Sequence, residues 1–222
     1  LDAIASSSPN DRRPLYIISD DEDALKYNDL NGHPALRFDG LNDYMLVDPS
    51  IDQYIYNNGT AYTGTETTLF IVFTQNSNNQ YNRYPLSGST VTPYFPRLYL
   101  YSNKSFRVYG YNDWHISEAA QYWDYGYSYL WTLEKNLLPS VGSNTLRVWI
   151  DNILAPNSDA TDVVYTNQWY NYRLADMTIG ALYNATAFFG GDIAEIIIYD
   201  RVLSDTERNY IHDYLNDKYD LW

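Results

Sequence analysis

Residues 190–222 read GGDIAEIIIYDRVLSDTERNYIHDYLNDKYDLW, and this stretch decides the fold. Between residues 193 and 198, apolar side chains occupy both alternating sets of positions, which is typical of a β-strand with at least one buried face. Strict alternation places Glu195 on the same face as Ile193. The segment therefore predicts a final strand that belongs to a buried sheet.

The same stretch continues into a helix. Ser204 and Glu207 form a capping box, in which the Ser204 hydroxyl accepts from the amide of residue 207 and the Glu207 carboxylate accepts from the amide of residue 204. Apolar residues then recur at helical spacing and predict one inward-facing stripe. Its members are Tyr210, Ile211, Tyr214 and Leu215. We expect this helix to act as a lid that shields the open end of a β-sandwich.

The rest of the chain consists of short β patterns separated by turn residues. The segment TTLFIVFTQ (67–75) predicts a central strand that is buried on both faces. RLYLY (97–101) and SFRVYGY (105–111) flank a Ser-Asn-Lys turn and predict a hairpin. Strands at this density predict an all-β antiparallel jelly-roll sandwich with a C-terminal capping helix. We expect residues 1–222 to form a single domain, because one sandwich of this length commonly folds as one unit.

The composition excludes several classes of function. Asp and Glu number 28 against 14 Lys and Arg, which gives a net charge of −14. So acidic a surface repels phosphate backbones, and nucleic acid is therefore not an expected partner. The chain lacks cysteine, which removes disulfides and thiolate zinc sites. No apolar run reaches the length of about 18 residues that a membrane span needs, and residues 1–4 lack the basic start of a signal peptide.

Several segments resemble concanavalin A-like, laminin-G-like jelly-roll domains. The resemblance is strong over residues 31–47 (NGHPALRFDGLNDYMLV) and 177–219, and it is loose over residues 75–126. The matching segments are 10–17 (NDRRPLYI), 31–47, 145–152 (TLRVWIDN), 177–181 (MTIGA) and 191–215.

This resemblance implies two antiparallel sheets packed face to face, in a module of a larger extracellular or surface protein with neighbouring domains. Members of the family often bind carbohydrate, some hold structural Ca²⁺, and catalysis is not implied. We therefore expect a non-catalytic carbohydrate-recognition module of an extracellular protein or of a cell or virion surface. The alternatives are a structural or protein-binding module of an adhesin or phage fibre, and a polysaccharide-active enzyme domain.

An aromatic segment, NDWHISEAAQYWDYG (112–126), is the candidate ligand site. It shows neither strand nor helix periodicity, and the hypothesis is that some of its rings stay exposed to stack on sugar rings. Arginines from nearby strands complete the set of hydrogen-bonding groups. The candidate residues are Asn112, Asp113, Trp114, His115, Tyr122, Trp123, Asp124 and Tyr125, with Arg97 and Arg107. The alternative is an inward-folded loop whose aromatics seal one sheet.

Metal binding and catalysis have weaker signals. Asp39 and Asp43 bracket a tight turn and Asp192 begins the last strand, so these carboxylates are candidate Ca²⁺ ligands. The alternative is that the two turn residues only cap the turn, as Asp does. No strand carries the paired acids of a glycosidase, and Glu195 is expected to be a structural carboxylate. The histidines have no spaced partners for zinc.

Overall fold

The computed structural model describes residues 15–17, 30–46, 66–76, 83–88, 97–100, 104, 106–109, 115–118, 123–136, 145–155, 177–182, 186–199 and 201–222. Their strands form two sheets in which every described pair of neighbours is antiparallel. The predicted all-β sandwich with a C-terminal helix is confirmed. Among these residues, no helix combines the length and the apolarity that crossing a bilayer requires.

In the described part of the chain, the larger sheet has seven strands, in the order β1 (Leu15–Ile17), β2 (Ala35–Asp39), β13 (Gly190–Tyr199), β4 (Glu66–Gln75), β9 (Ser128–Asn136), β10 (Thr145–Ile150) and β11 (Ile153–Leu154). The smaller sheet has six strands among these residues, in the order β3 (Met45–Leu46), β12 (Thr178–Ile179), β5 (Arg83–Ser87), β6 (Arg97–Leu100), β7 (Phe106–Tyr109) and β8 (His115–Glu118). The predicted hairpin is confirmed as β6 and β7.

Strand β4 lies at the centre of the larger sheet and is buried on both faces, as its sequence predicts. Leu69, Ile71 and Phe73 face the smaller sheet and belong to the core between the sheets. Phe70 and Val72 point to the opposite face, where they join a second apolar cluster. Two covers are therefore needed, one on each side of this strand.

The core between the sheets covers the first side. Aromatic side chains dominate its centre, where the Trp131 ring makes edge contacts with Phe73 at 5.6 Å and Phe106 at 4.6 Å between centroids. Such edge-to-face pairs add to the stability that burial alone provides. The smaller sheet contributes Leu86, Leu98, Leu100, Phe106 and Val108.

Helix α1 (Asp205–Tyr219) covers the second side. It lies on the outer face of the larger sheet, where Leu215 and Tyr219 pack with Phe70 and Val72. The prediction that the helix covers the open end of the sandwich is therefore wrong. The helix covers the outer face of β4 instead, because that face is apolar and would otherwise be exposed to water.

The buried face of the helix also differs from the predicted stripe. The buried side chains are Arg208, His212, Leu215 and Tyr219, whereas Tyr210 is 71% exposed and Tyr214 is exposed as well. Ile211 is partly buried and packs against the second cluster. A hydrophobicity pattern treats Arg208 and His212 as polar and therefore predicts that they face solvent. In the structure both side chains are buried, because they have hydrogen-bonding partners in the sheet.

A β-bulge in β13 explains a second difference. The register against β4 shifts between Ile193 and Glu195, so one extra residue enters the strand. As a result Glu195 does not share the face of Ile193. Its carboxylate accepts from Lys218 Nζ and from the Tyr219 hydroxyl, both at 2.9 Å. Glu195 thus fastens the end of the helix to the last strand, in agreement with a structural role.

The capping box at the start of the helix is confirmed. Ser204 Oγ accepts from the amide of Glu207 at 3.3 Å, and the Glu207 carboxylate accepts from the amide of Ser204 at 2.9 Å. Arg201 donates to both oxygens of the same carboxylate. The hydrogen bonds from Arg201 and Ser204 lower the pKa of Glu207 to about 2.

The orientation of the helix gives a direct prediction. Leu215→Ala is expected to lower the free energy of unfolding by about 2–5 kcal/mol, because it empties a fully buried site. Tyr210→Ala is the matched control and is expected to change stability by no more than about 0.5 kcal/mol, because its ring is exposed. Denaturant titration of both variants measures the difference. Equal losses would mean that the helix presents the face expected from the sequence.

Candidate functional site

The aromatic segment 112–126 is more regular than its sequence predicts. Residues 115–118 form β8, which pairs with β7 along its whole length. His115 stands opposite Tyr109 in this register. Asn112, Asp113, Trp114 and Tyr122 lie outside the described residues, and their role in binding stays a prediction.

Trp123 is an anchor in the core, not an exposed platform. Its side chain is 3% exposed, and its indole Nε1 donates to Gln75 Oε1 at 3.0 Å. Its ring lies 5.3 Å from that of Trp131, in an edge-to-face contact. The expectation of an exposed ring is therefore wrong at this position. The indole can be buried here because its N–H has a hydrogen-bond partner at the end of β4, which the local sequence does not reveal.

The residues after Trp123 form a tight turn that is tied to the same strand end. The amide of Gly126 donates to the carbonyl of Gln75 at 2.9 Å. Gly126 has a φ of +83°, a conformation that a residue with a side chain adopts at a cost. The amide of Asp124 donates to the Tyr129 hydroxyl at 2.8 Å. The turn is thus held by β4 on one side and by β9 on the other.

This turn displays a carboxylate to solvent. The Asp124 side chain is 65% exposed, and Lys104 Nζ donates to its Oδ1. The hydrogen bond to Asp124 raises the pKa of Lys104, so the lysine stays charged. The ammonium also lies 5.7 Å from the centroid of the Tyr125 ring. Tyr127 follows on the same turn and is 61% exposed. We call Lys104, Asp124, Tyr125 and Tyr127 the Asp124 patch.

The cation of this patch is Lys104, which sequence reasoning missed. Lys104 lies in the turn of the β6–β7 hairpin, where the sequence Ser-Asn-Lys indicates a turn and nothing more. Arg97 is half-buried at the other end of the hairpin, opposite Tyr109 and about 10 Å along the strand from Leu100. Arg107 stands opposite Tyr99 and Ser117. Arg97 thus lies at the far end of β6 from the turn that carries Lys104, whereas Arg107 is the second residue of β7 and follows that turn closely in the sequence.

The turn between β2 and β3 is capped by its own acidic residues. Asp39 Oδ1 accepts from the amides of Leu41 and Asn42 at 2.7 and 3.1 Å. Asp43 Oδ2 accepts from the amide of Asp39 at 2.8 Å. These bonds are those of a side-chain-capped turn, which is the alternative to a metal site at these two residues.

Asp192 lies in a different setting from the one expected for a metal ligand. It is fully buried, and Arg37 donates to both of its oxygens, at 2.7 and 2.9 Å. Asn76 donates to the same carboxylate at 3.1 Å. A guanidinium in this position repels a second cation, so Asp192 does not fit a Ca²⁺ site. In the described part of the chain, no group of three or more His, Asp or Glu residues is arranged to hold a metal ion.

A buried polar cluster lies under the helix and was not foreseen. His212 Nδ1 is 2.7 Å from Asn152 Oδ1, and its Nε2 is 2.8 Å from Thr132 Oγ1. This order of hydroxyl, imidazole and amide resembles a nucleophile with its base and an orienting group. However, Thr132 is 1% exposed in the middle of β9 and His212 is fully buried. Both groups are therefore closed off from solvent, and their hydrogen bonds join the helix to β9 and to the turn after β10.

The neighbouring half of the cluster is ionic. Arg208 lies over the Trp149 ring at 4.3 Å and donates to Asp205 at 2.9 Å and to the buried Glu134 at 3.4 Å. Burial raises the pKa of Glu134, while Arg147 and Arg208 oppose that shift. Removing one member of such a group leaves an uncompensated charge in the interface, which is strongly destabilising. These contacts therefore fix the helix on β9 and β10.

Comparison with known proteins supports the fold alone. No protein-family model matches the sequence, and neither does any curated protein. Among solved structures, the Trypanosoma rangeli sialidase in complex with the inhibitor DANA matches with a TM-score of 0.59 at 15% identity, over 82% of this chain and 28% of that chain. The NanB sialidase from Streptococcus pneumoniae matches with a TM-score of 0.57 at 13% identity, over 78% of this chain and 27% of that chain.

A third similar structure is the receptor binding domain of botulinum neurotoxin C/D mosaic serotype. Its TM-score is 0.55 at 10% identity, over 81% of this chain and 42% of that chain. The chain thus spans between about a quarter and two fifths of the proteins that it matches. At these identities the likeness is one of architecture.

The anchor role of Trp123 can be separated from a binding role by stability. Trp123→Ala is expected to cost about 3–5 kcal/mol of unfolding free energy, because it empties a buried site and leaves Gln75 without its partner. Tyr127→Ala, on the same turn, is the control and is expected to cost no more than about 0.5 kcal/mol. Thermal or denaturant unfolding measures both. A Trp123→Ala variant as stable as the control would show that the ring is not part of the core.

His212 gives a prediction for pH dependence. Burial and the charge of Arg208 lower its pKa from 6.5 to about 4. The unfolded chain therefore binds the proton more readily, and the stability that neutral His212 contributes is complete above pH 6.5 and is lost as the pH falls to about 4. Each pH unit between the two pKa values corresponds to about 1.4 kcal/mol. His212→Gln is expected to flatten the stability profile in this window by up to about 3 kcal/mol.

Denaturant titrations of both proteins from pH 7 to pH 4 test this expectation. The slope is compared, not the absolute stability, because the substitution also alters the bonds to Thr132 and Asn152. Identical slopes would contradict a buried, neutral imidazole under the helix.

Proposed function

We propose that this chain is a non-catalytic carbohydrate-recognition module of an extracellular or surface protein, of the concanavalin A-like, laminin-G-like type. The observation that carries the proposal is the Asp124 patch, where the turn that carries the exposed Asp124 carboxylate and Tyr127 meets the Lys104 ammonium of the β6–β7 hairpin turn.

The chemistry of the patch suits a sugar. Sugar hydroxyls both donate and accept hydrogen bonds, and the Asp124 carboxylate and the Lys104 ammonium provide one acceptor and one donor side by side. The C–H face of a pyranose ring packs on an aromatic ring, and Tyr127 offers such a ring to solvent. Because the turn is bonded to Gln75 and Tyr129, little conformational entropy is lost on binding.

The similar structures add support of a general kind. Solved structures of the Trypanosoma rangeli sialidase are complexes with sialic acid and with 2,3-difluoro-KDN, and the toxin structure is that of a receptor binding domain. The chain matches a limited share of each, which favours a module that works beside neighbouring domains. On the basis of this similarity, we propose that this chain also binds carbohydrate.

The non-catalytic part of the proposal rests on where the titratable groups lie. His212 and Glu134 are buried under the helix, and Glu195 is bonded to Lys218 and Tyr219. In the parts of the chain that the structure describes, the acidic groups that a glycosidase needs in an open, paired arrangement do not occur at the Asp124 patch. The proposal likewise assigns no structural metal to Asp39, Asp43 or Asp192.

A second candidate function is a structural or protein-binding module of a surface assembly. Strand β3, the outermost strand of the smaller sheet among the described residues, favours it, because Met45 and Leu46 are both exposed there and Leu41 is exposed on the preceding turn. Exposed apolar residues at a sheet edge are typical of contact surfaces between proteins.

A glycan array, run with Ca²⁺ and again with a chelator, separates these functions. Carbohydrate binding that is unaffected by chelation is the expected result. Tyr127→Ala is expected to weaken binding of the best array ligand by about 1–3 kcal/mol, or roughly 5- to 150-fold, by analogy with bases stacked on aromatic rings. Asp124→Asn is expected to weaken it as well, and Tyr210→Ala on the helix is the matched control.

Other outcomes are equally informative. No binding on the array would favour the protein-binding module, and release of reducing ends from a polysaccharide would favour an enzyme. Binding that needs Ca²⁺ would contradict the assignment of the acidic turn as a capped turn. Binding that survives both substitutions would place the site elsewhere, with Trp114 as the next residue to change.

A further inference from the structure

We infer that the Asp124 patch selects neutral glycans and rejects anionic ones. This inference rests on the proposed function and names the ligand class of the same site. It sets the chain apart from the Trypanosoma rangeli sialidase of similar fold, whose solved structures include complexes with sialic acid and 2,3-difluorosialic acid.

Lys104, the cation of the patch, is already neutralised by Asp124. Lys104 Nζ is bonded to Asp124 Oδ1, and the two charges cancel at short range. A ligand carboxylate or sulfate must therefore compete with Asp124 for the ammonium and must also approach a carboxylate that is 65% exposed. Like charges in such proximity disfavour binding, whatever the rest of the ligand contributes.

The ion pair between Lys104 and Asp124 suits a ligand hydroxyl. Among the described residues, no donor other than Lys104 reaches the Asp124 side chain, so Oδ2 remains available as an acceptor. An ammonium has three N–H donors, and one of those on Lys104 is used for Asp124. A sugar hydroxyl can donate to Asp124 Oδ2 and accept from Lys104. Both groups then gain a hydrogen bond, and the ion pair between them stays intact.

The charge of the whole chain also disfavours anionic ligands. A net charge of −14 attracts cations and repels anionic ligands during encounter. This long-range part is screened beyond about 8 Å at physiological ionic strength. The contacts within the patch therefore decide the selectivity at equilibrium, and the overall charge adds to it at low salt.

Matched pairs of ligands test the inference. The probes are neutral oligosaccharides and the same oligosaccharides with a terminal sialic acid or uronic acid, for example lactose against sialyllactose. They are compared on the array and then by calorimetry at 150 mM salt. The expected result is that the intact chain binds the neutral member of the best pair at least tenfold more tightly.

Asp124→Asn is the decisive variant, because it keeps the shape of the side chain while it removes the negative charge and frees Lys104. The ratio of neutral to anionic affinity is expected to fall at least tenfold in this variant. Lys104→Met, which leaves the carboxylate unpaired, is expected to keep the selectivity against anions while it weakens binding of the neutral ligand. Circular dichroism and melting curves establish that both variants are folded.

The outcomes distinguish this inference from the function on which it rests. Equal or tighter binding of the anionic member by the intact chain overturns the selectivity but leaves a carbohydrate-binding module in place. An unchanged ratio in Asp124→Asn overturns the assignment to this ion pair. The absence of binding to every neutral and anionic probe overturns the proposed function itself.

Discussion

The fold depends on one constraint, which is that strand β4 is apolar on both sides. Leu69, Ile71 and Phe73 require the smaller sheet as a cover, and Phe70 and Val72 require the helix. A sheet with one solvated face would leave the second set in water, at a cost of about 1.5–3 kcal/mol for each large apolar side chain. The helix at the end of the chain is thus part of the core, and it is held on the sheet by polar contacts as well as apolar ones.

The same strand positions the candidate site. Gln75, the last residue of β4, accepts from the Trp123 indole through its side chain and from the amide of Gly126 through its backbone. One residue therefore joins the buried end of the turn to the centre of the sheet. The exposed part of the turn, with Asp124 and Tyr127, is carried by this anchor. Rigidity of this kind favours binding, because less freedom is lost when a ligand is held.

Much of the fold could be predicted from the sequence, because periodicity and capping are local signals. The two-sided burial of β4, the β6–β7 hairpin and the Ser204–Glu207 cap all follow from patterns within about ten residues. The face of the helix could not be predicted, since burial of His212 depends on partners 60 and 80 residues away in the sequence. The candidate site is predictable only in part, because it also joins residues that are distant in the sequence. Asp124 is indicated by its own aromatic segment, whereas its partner Lys104 is brought to it by the fold.

Residue-level hydrogen exchange of the intact chain tests the account most directly. The amides of Val72 in β4, Leu215 in the helix and Gly126 in the site turn are compared under conditions in which exchange reports the free energy of opening. If all three belong to one cooperative unit centred on β4, they exchange with the same free energy, equal to that of global unfolding. Exchange of Leu215 or Gly126 through a separate opening of much lower free energy, with Val72 still protected, would contradict it.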